Sequence, residues 1–391
     1  MSADASVIGG GREAGRERQE ADPATTAAQE NKAGRDRADP GVSATESTPA
    51  GNARTLYPPR IMSGFQPTTT VHLGHYFGAL KHHIQLHHEY PGECFFMIAD
   101  YHSMTRGIDP ERTRQGTLES ATVYLALGLD PSKAVLFRQS DVPKVTELAW
   151  IFGCLTPLNW LTANQVYKAA QEKPPAAGAK EQVNRSGLLF YPVLMAADIL
   201  SLRATVVPVG HDQQINVEMV RDIAKAFNAA FDQEVFPIPR ALHLQASVVK
   251  GIHGEKMLVE SDNFIPLFGR FDQIRDRVAK IRTDSTPEHE RKDPDKCRVF
   301  HLYSLVAPED KVRDMRSRYL LKGTGSIGYQ EAKNALIQEC QECFSPFEDR
   351  YQELKRDPDT VSDILRTGFM TAREEVEQTL DVIRSLIGLG Y

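Results

Sequence analysis

The sequence predicts an α/β protein: a parallel sheet with helical crossovers, followed by a helical C-terminal domain. Three observations carry this. Continuous apolar runs such as "CFFMIAD" (94–100) read as strands buried on both faces. As far as about Asp212 such runs alternate with helical stretches, the pattern of right-handed β-α-β units in a parallel sheet. Beyond it the strand signals fade and amphipathic helices follow one another.

The elements follow in order. Residues 1–55 contain no aromatic side chain and are rich in Ala, Gly, Arg, Glu, Asp and Thr, so they cannot bury enough apolar area to offset ordering entropy and read as a disordered tail. The texture changes at Leu56. "RIMSGF" is a short strand; "HLGHYFGALKHHIQLHHEY" is a helix with Leu73, Phe77, Leu80 and Ile84 at helical spacing. "CFFMIAD" is the second strand. "DPERTRQGTLESATVYLALGL" is a helix with Asp109 as N-cap and Pro110 in the first turn. "AVLFRQS" is a third strand and "ATVVPVG" a fourth, after the helical "LFYPVLMAADILSL". "QIRDRVAKI", "EAKNALIQECQECF", "PFEDRYQELKRD" and "SDILRTGFMTAREEVEQTLDVIRSLIGL" are the C-terminal helices.

Bulk properties exclude some classes. The 391 residues carry 46 Lys and Arg against 52 Asp and Glu, a net charge of −6, so any nucleic-acid binding must use a local basic face. No apolar run is long enough to span a membrane and no signal-peptide core is present, so no membrane association is expected. Five sparse cysteines, Cys94, Cys154, Cys297, Cys340 and Cys343, suit reduced thiols and a cytoplasmic setting. "CQEC" (340–343) lies in a helix-like stretch without a second pair, so it reads as packing residues, and no metal-ligand set is expected.

No GxxxxGK[ST] phosphate loop occurs. Instead, the first strand leads through "SGFQPTTTVHLGHYFG" into a helix, with His72 and His75 flanking Gly74 at its start. A helix N-terminus attracts anions, two imidazoles there can donate to phosphate oxygens, and Gly74 leaves room beside the backbone; the same residues also fit ordinary members of a His-rich helix. In "YPVLMAADIL", Tyr191, Met195 and Asp198 share one helix face. A carboxylate there needs a partner, either an N–H donor on a flat apolar ligand or a neighbouring backbone group. "VPVGHDQ" places Gly210, His211, Asp212 and Gln213 at a strand end, where α/β sheets collect ligand contacts.

With these motifs in this order, the chain from about Leu56 to the C-terminus resembles class I aminoacyl-tRNA synthetases, and among them the bacterial tryptophanyl-tRNA synthetases. "FFMIADYHSMT" and "TDSTPEHERKDPDKC" belong to the likeness. The resemblance implies a Rossmann-like catalytic domain over 56–250 that binds ATP and tryptophan, a loop of the KMSKS type over 251–267, and a helical domain over 268–391 that reads the tRNA anticodon. It further implies ATP with Mg²⁺, L-tryptophan, tRNA(Trp) and a homodimer. Tryptophan and ATP would give tryptophanyl-adenylate and pyrophosphate, and the acyl group would then pass to the tRNA. By the same likeness "HLGH" stands for the signature HIGH, making His72 and His75 catalytic with Lys256; Gly64, Gln66, Gly74, Lys168, Asp212 and Met257 contact ATP; and Tyr191, Met195, Asp198 and Gln213 contact tryptophan, with Asp198 accepting from the indole N–H.

The loop departs from the family pattern. In "KMLVESDNFIPLF", Lys256 and Met257 agree with Lys-Met-Ser-Lys-Ser, but Leu258, Val259 and Glu260 replace Ser, Lys and Ser. Losing a lysine and gaining a carboxylate shifts the charge by two units against a triphosphate, and loss of one preorganised donor costs roughly 10²–10³ in rate. Lys256 or Lys250 is the expected compensation. In the basic segment that helps hold ATP, Tyr167 and Lys168 fit while Ala169 and Ala170 do not, and Lys173 or Lys180 is the expected substitute. Three functions are consistent with this pattern: a tryptophan–tRNA ligase, a relative that adenylates tryptophan for another acceptor, and an inactive tryptophan-binding regulator.

Overall fold

A computed structural model describes residues 59–172, 186–210, 213–244, 248–269 and 271–390. The expected 1–55 tail, His211, Asp212, Lys173 and Lys180 lie outside the described residues.

The chain alternates as expected. Strand β1 (Ile61–Phe65) leads into α1 (Leu73–His75), a π-helical turn (Tyr76–Leu80) and α2 (Lys81–Glu89). Then come β2 (Cys94–Ile98), α3 (Asp100–Ser103), α4 (Pro110–Ala126), β3 (Ala134–Arg138), α5 (Lys144–Leu155), α6 (Leu158–Thr162), α7 (Gln165–Glu172), α8 (Ser186–Ser201) and β4 (Val206–Val209). Helix α9 (Gln214–Ala230) and strand β5 (Arg240–His243) complete the sheet region. Helices α10 (Phe271–Ala279), α11 (Arg298–Val306), α12 (Glu309–Leu320), α13 (Tyr329–Arg356) and α14 (Pro358–Leu386) follow. The Asp109 cap is in place: its carboxylate accepts from Arg112 N at 3.0 Å, and Pro110 follows it.

Among the described residues five parallel strands form one sheet in the order β3-β2-β1-β4-β5. The chain turns back at β1, so β1 and β4 splay apart at their carboxyl ends and open a crevice there. The apolar runs are continuous because both faces are covered. Phe96 and Ile98 face one core, built with Leu73, Leu80 and Tyr124, while Phe95 and Met97 face the other, built with α5, α8 and α9.

Two features differ from the sequence reading. Strand β5 was not expected: "RALH" is four residues long, exposed or half-buried throughout, and pairs on one side only. "EAKNALIQECQECF" and "PFEDRYQELKRD" form one helix, α13, with Pro346 inside it. Helix α13 packs on α4, and α14 on β3. The latter contact requires Gly368, because a Cβ there would sit 2.0 Å from Leu136 O. Helix α14 thereby covers the β3 edge. Cys340 is buried in the apolar core on α13, in keeping with a packing role, and among the described residues no cluster of metal-ligating side chains forms.

Candidate active site

A cavity of about 510 Å³ opens at the carboxyl ends of β1 and β4. It collects Gly64, Gln66, His72, Gly74 and His75 from the β1–α1 connection, Tyr191, Met195 and Asp198 from α8, Gln213 ahead of α9, and Lys256 and Met257 from the loop. Lys168 is exposed on α7 and is not among the residues that line this cavity.

Asp198 is 2 % exposed, yet its carboxylate is not bare. His102 Nε2 lies 2.8 Å from Oδ2, and Gln139 Nε2 donates to both oxygens at 2.9 Å. Gln139 cannot flip, because its Oε1 accepts from Tyr101 N at 3.1 Å. Asp100, also buried, accepts from Tyr101 N and Ser140 N at 3.0 and 2.9 Å and from the Ser140 hydroxyl, which fixes the turn bearing Gln139. A carboxylate offers about four lone-pair sites, so one remains for a donor in the cavity. His102 and Gln139 were missed in the sequence; their signal was position, each just past the carboxyl end of a strand.

A second network lies beside it. Buried Asn216 donates to Tyr191 Oη at 3.3 Å and to Gln213 Oε1 at 2.8 Å, and accepts from Asn164 Nδ2 at 2.9 Å. Asn216 was also missed. It orients two polar groups above the apolar face of α8, a geometry that suits the charged end of an amino acid.

At the other end of the cavity the rings of His72 and His75 stack, with centroids 3.5 Å apart and an interplanar angle of 19°. His72 is 2 % exposed, and both its ring nitrogens are buried without a partner. Such a group carries a desolvation cost of roughly 1–3 kcal/mol until something bonds it. Burial, with Lys256 nearby and only partly offset by Glu260, lowers its pKa to about 4. Burial, His72, Arg106 and Lys256 hold His75 well below the ordinary histidine range. Both imidazoles are therefore neutral at pH 7. His72 N donates to His75 Nδ1 at 3.4 Å, which leaves the His75 ring proton on Nε2 as a donor. Gly74 lines the cavity and also lets the loop pack closely: a Cβ there would lie 3.1 Å from Met257 Cβ and 3.1 Å from the His72 ring.

The loop itself is well held. Leu258 and Asn263 exchange backbone hydrogen bonds at 3.2 and 3.1 Å, and Asp262 takes the left-handed conformation, φ 56°, at the tip. Buried Asn263 accepts from His253 N at 2.8 Å and donates to Glu255 O and Lys256 O at 3.1 and 3.0 Å. Leu73 N donates to Ile265 O and Leu267 N to Val71 O, which stitches the loop to the start of α1. The charge expectation needs correction. Glu260 does not face the cavity as an isolated carboxylate: it pairs with Arg112 and lies 3.7 Å from Arg106, and both guanidinium groups line the same cavity. Lys256 lines it as well, whereas Lys250 does not.

A parallel sheet of this order, histidines at the first helix and a loop folded back on them define a class I synthetase architecture. Residues 56–345 match the model of the tRNA synthetases class I (W and Y), and the chain belongs to that family. Among its relatives, the tryptophan–tRNA ligase of Rhodopirellula baltica is 41 % identical over 331 residues, 84 % of this chain and 99 % of that one. That of Fusobacterium nucleatum is 38 % identical over 84 % and 98 %. The tryptophanyl-tRNA synthetase of Campylobacter jejuni, solved with ADP and tryptophan, superposes with a TM-score of 0.74 at 35 % identity, covering 84 % of this chain and all of that one.

Proposed function

We propose that this chain is a tryptophan–tRNA ligase: it activates L-tryptophan with ATP and transfers the acyl group to tRNA(Trp). The observation that carries the reading is Asp198, a buried carboxylate fixed by His102 and Gln139 with acceptor capacity remaining toward an apolar cavity. It suits the indole N–H, with Met195 beside the ring and Tyr191 and Gln213 at the α-amino group. Gly64, Gln66, Gly74 and Met257 serve ATP, which arrives as its Mg²⁺ complex. The tryptophan carboxylate attacks the α-phosphorus, the bond to the bridging oxygen breaks, and the electron pair leaves on pyrophosphate. No side chain need act as nucleophile; neutral donors at His72 and His75, with Lys256, stabilise charge as it grows on the phosphate oxygens.

The functional division follows the chain: catalysis over 56–250, the loop over 251–267, and anticodon reading over 268–391. A cytoplasmic setting fits the free cysteines, and among the described residues no helix is long and apolar enough to cross a membrane. Homodimerisation through α5 and α6 is supported by Trp150 and Leu158, 72 % and 65 % exposed. Tryptophan-dependent ATP–pyrophosphate exchange followed by tRNA charging tests the reading. Both activities are expected; exchange without charging indicates another acceptor, and tryptophan binding without exchange refutes the enzyme.

A further inference from the structure

The tip of the loop faces two cations, Arg106 and Arg112, that lie outside the sequence motifs shared with the family. Arg106 ends the turn after α3, and Arg112 lies in the first turn of α4. Both converge on Glu260 from the opposite wall: the carboxylate pairs with Arg112 and lies 3.7 Å from Arg106 Nη1. Their side chains are 60 % and 46 % exposed, so as surface ion pairs these contacts contribute little to stability. They do set the field in the cavity. Arg106, Arg112 and Lys256 stand there beside Glu260, with Asp198 also in the lining of the same cavity, and Arg106 is near enough to His75 to help depress its basicity. Val259, where the family pattern has its second lysine, instead packs on the apolar core.

We propose that Arg106 and Arg112 bind the pyrophosphate end of ATP in place of the missing loop lysine, and that Glu260 is their counter-ion until the polyphosphate displaces it. This rests on the ATP-dependent activation proposed above. Guanidinium groups suit the task, being permanently charged and able to grip phosphate oxygens in pairs. Glu260 holds two like charges together before the substrate arrives. A polyphosphate carries several negative charges and competes well against one exposed carboxylate.

The test uses the full chain and its variants Arg106→Gln, Arg112→Gln, the double variant, Arg112→Lys and Glu260→Gln. Arg114→Gln serves as the control, since Arg114 is exposed, pairs with Glu111 and lies outside the cavity lining. Exchange is measured with varied ATP, and tryptophan and inorganic pyrophosphate binding by calorimetry. Each Arg→Gln change is expected to lower the exchange rate at least about tenfold and the double variant about 10²-fold or more, with tryptophan affinity unchanged. Arg112→Lys should recover part of the loss, and Glu260→Gln, which releases both guanidinium groups, should lower the KM for ATP. A double variant within threefold of wild type overturns the proposal. So does a parallel loss of tryptophan affinity, or a Glu260→Gln loss as large as that of the arginines, since either means a structural clasp. Wild type without exchange overturns the activation reading instead. Wild type that exchanges, beside a double variant that still binds pyrophosphate normally, overturns only the arginine assignment.

Discussion

Removing the Asp198 carboxylate separates recognition from stability. In Asp198→Ala the donor from Gln139 loses its acceptor and cannot turn away, because Tyr101 N holds its other end at 3.1 Å. His102 loses its 2.8 Å partner as well. Two stranded buried groups at roughly 1–3 kcal/mol each lower unfolding stability by about 2–6 kcal/mol. The ligand loses one N–H bond to a charged acceptor, about 1.5–3 kcal/mol, or roughly 10- to 150-fold in Kd. Calorimetric titration with L-tryptophan and with its benzothiophene analogue, which lacks the ring N–H, isolates that bond. Wild type should prefer tryptophan by about this factor, and Asp198→Ala should bind the two alike. If the variant keeps the wild-type preference, Asp198 does not read the indole, and the assignment of the apolar end of the cavity falls.

Other expectations follow from the same geometry. His75→Ala removes the Nε2 donor and should lower ATP–pyrophosphate exchange by about 10²-fold with tryptophan affinity within twofold, measured by exchange and calorimetry. Stability should fall on acidification. His72 and His83 are lowered by burial to about 4 and about 3, so between pH 6.5 and those values the unfolded chain binds the protons and the folded chain does not. At pH 5 this removes about 2 kcal/mol for each histidine relative to pH 7, and the loss levels off below the folded values. Urea unfolding at the two pH values measures it, and equal or greater stability at pH 5 would contradict it. The proposed homodimer predicts that wild type sediments as a dimer and that Trp150→Glu, which puts a charge on the exposed face of α5, sediments as a monomer; a monomeric wild type, or a variant that stays dimeric, contradicts that contact.

Legibility in the sequence followed how local each signal was. Strands β2, β3 and β4 were readable because burial on two faces writes a nearly unbroken apolar run, and β1, broken by Ser63 and Gly64, was readable as the short segment leading into the first helix, whereas β5 is a half-exposed edge strand with Arg240 and His243 at its ends and writes no such run. The face bearing Tyr191, Met195 and Asp198 was readable because one helix sets it. The partners of Asp198 were not, since His102 and Gln139 stand 96 and 59 residues away and meet it only through the β2-β3 register and the α8 packing. The Glu260 charge was misjudged for the same reason: Arg112 is 148 residues distant, and nothing in the loop announces it.

The two ends of the cavity solve opposite problems. At the Asp198 end the polar groups are buried and bonded before any ligand arrives, so little must rearrange and discrimination comes from what a wrong ligand leaves unmatched. At the other end both His72 ring nitrogens are buried but unbonded, and Arg106 and Arg112 nearby are exposed and tethered to Glu260. Under the activation proposed above, an incoming polyanion would relieve the unbonded His72 nitrogens, and transition-state stabilisation would fall on the phosphate side. A loop without its second lysine can still serve this design, because the cations need only reach the leaving group, and the fold brings Arg106 and Arg112 to the loop tip from a different segment.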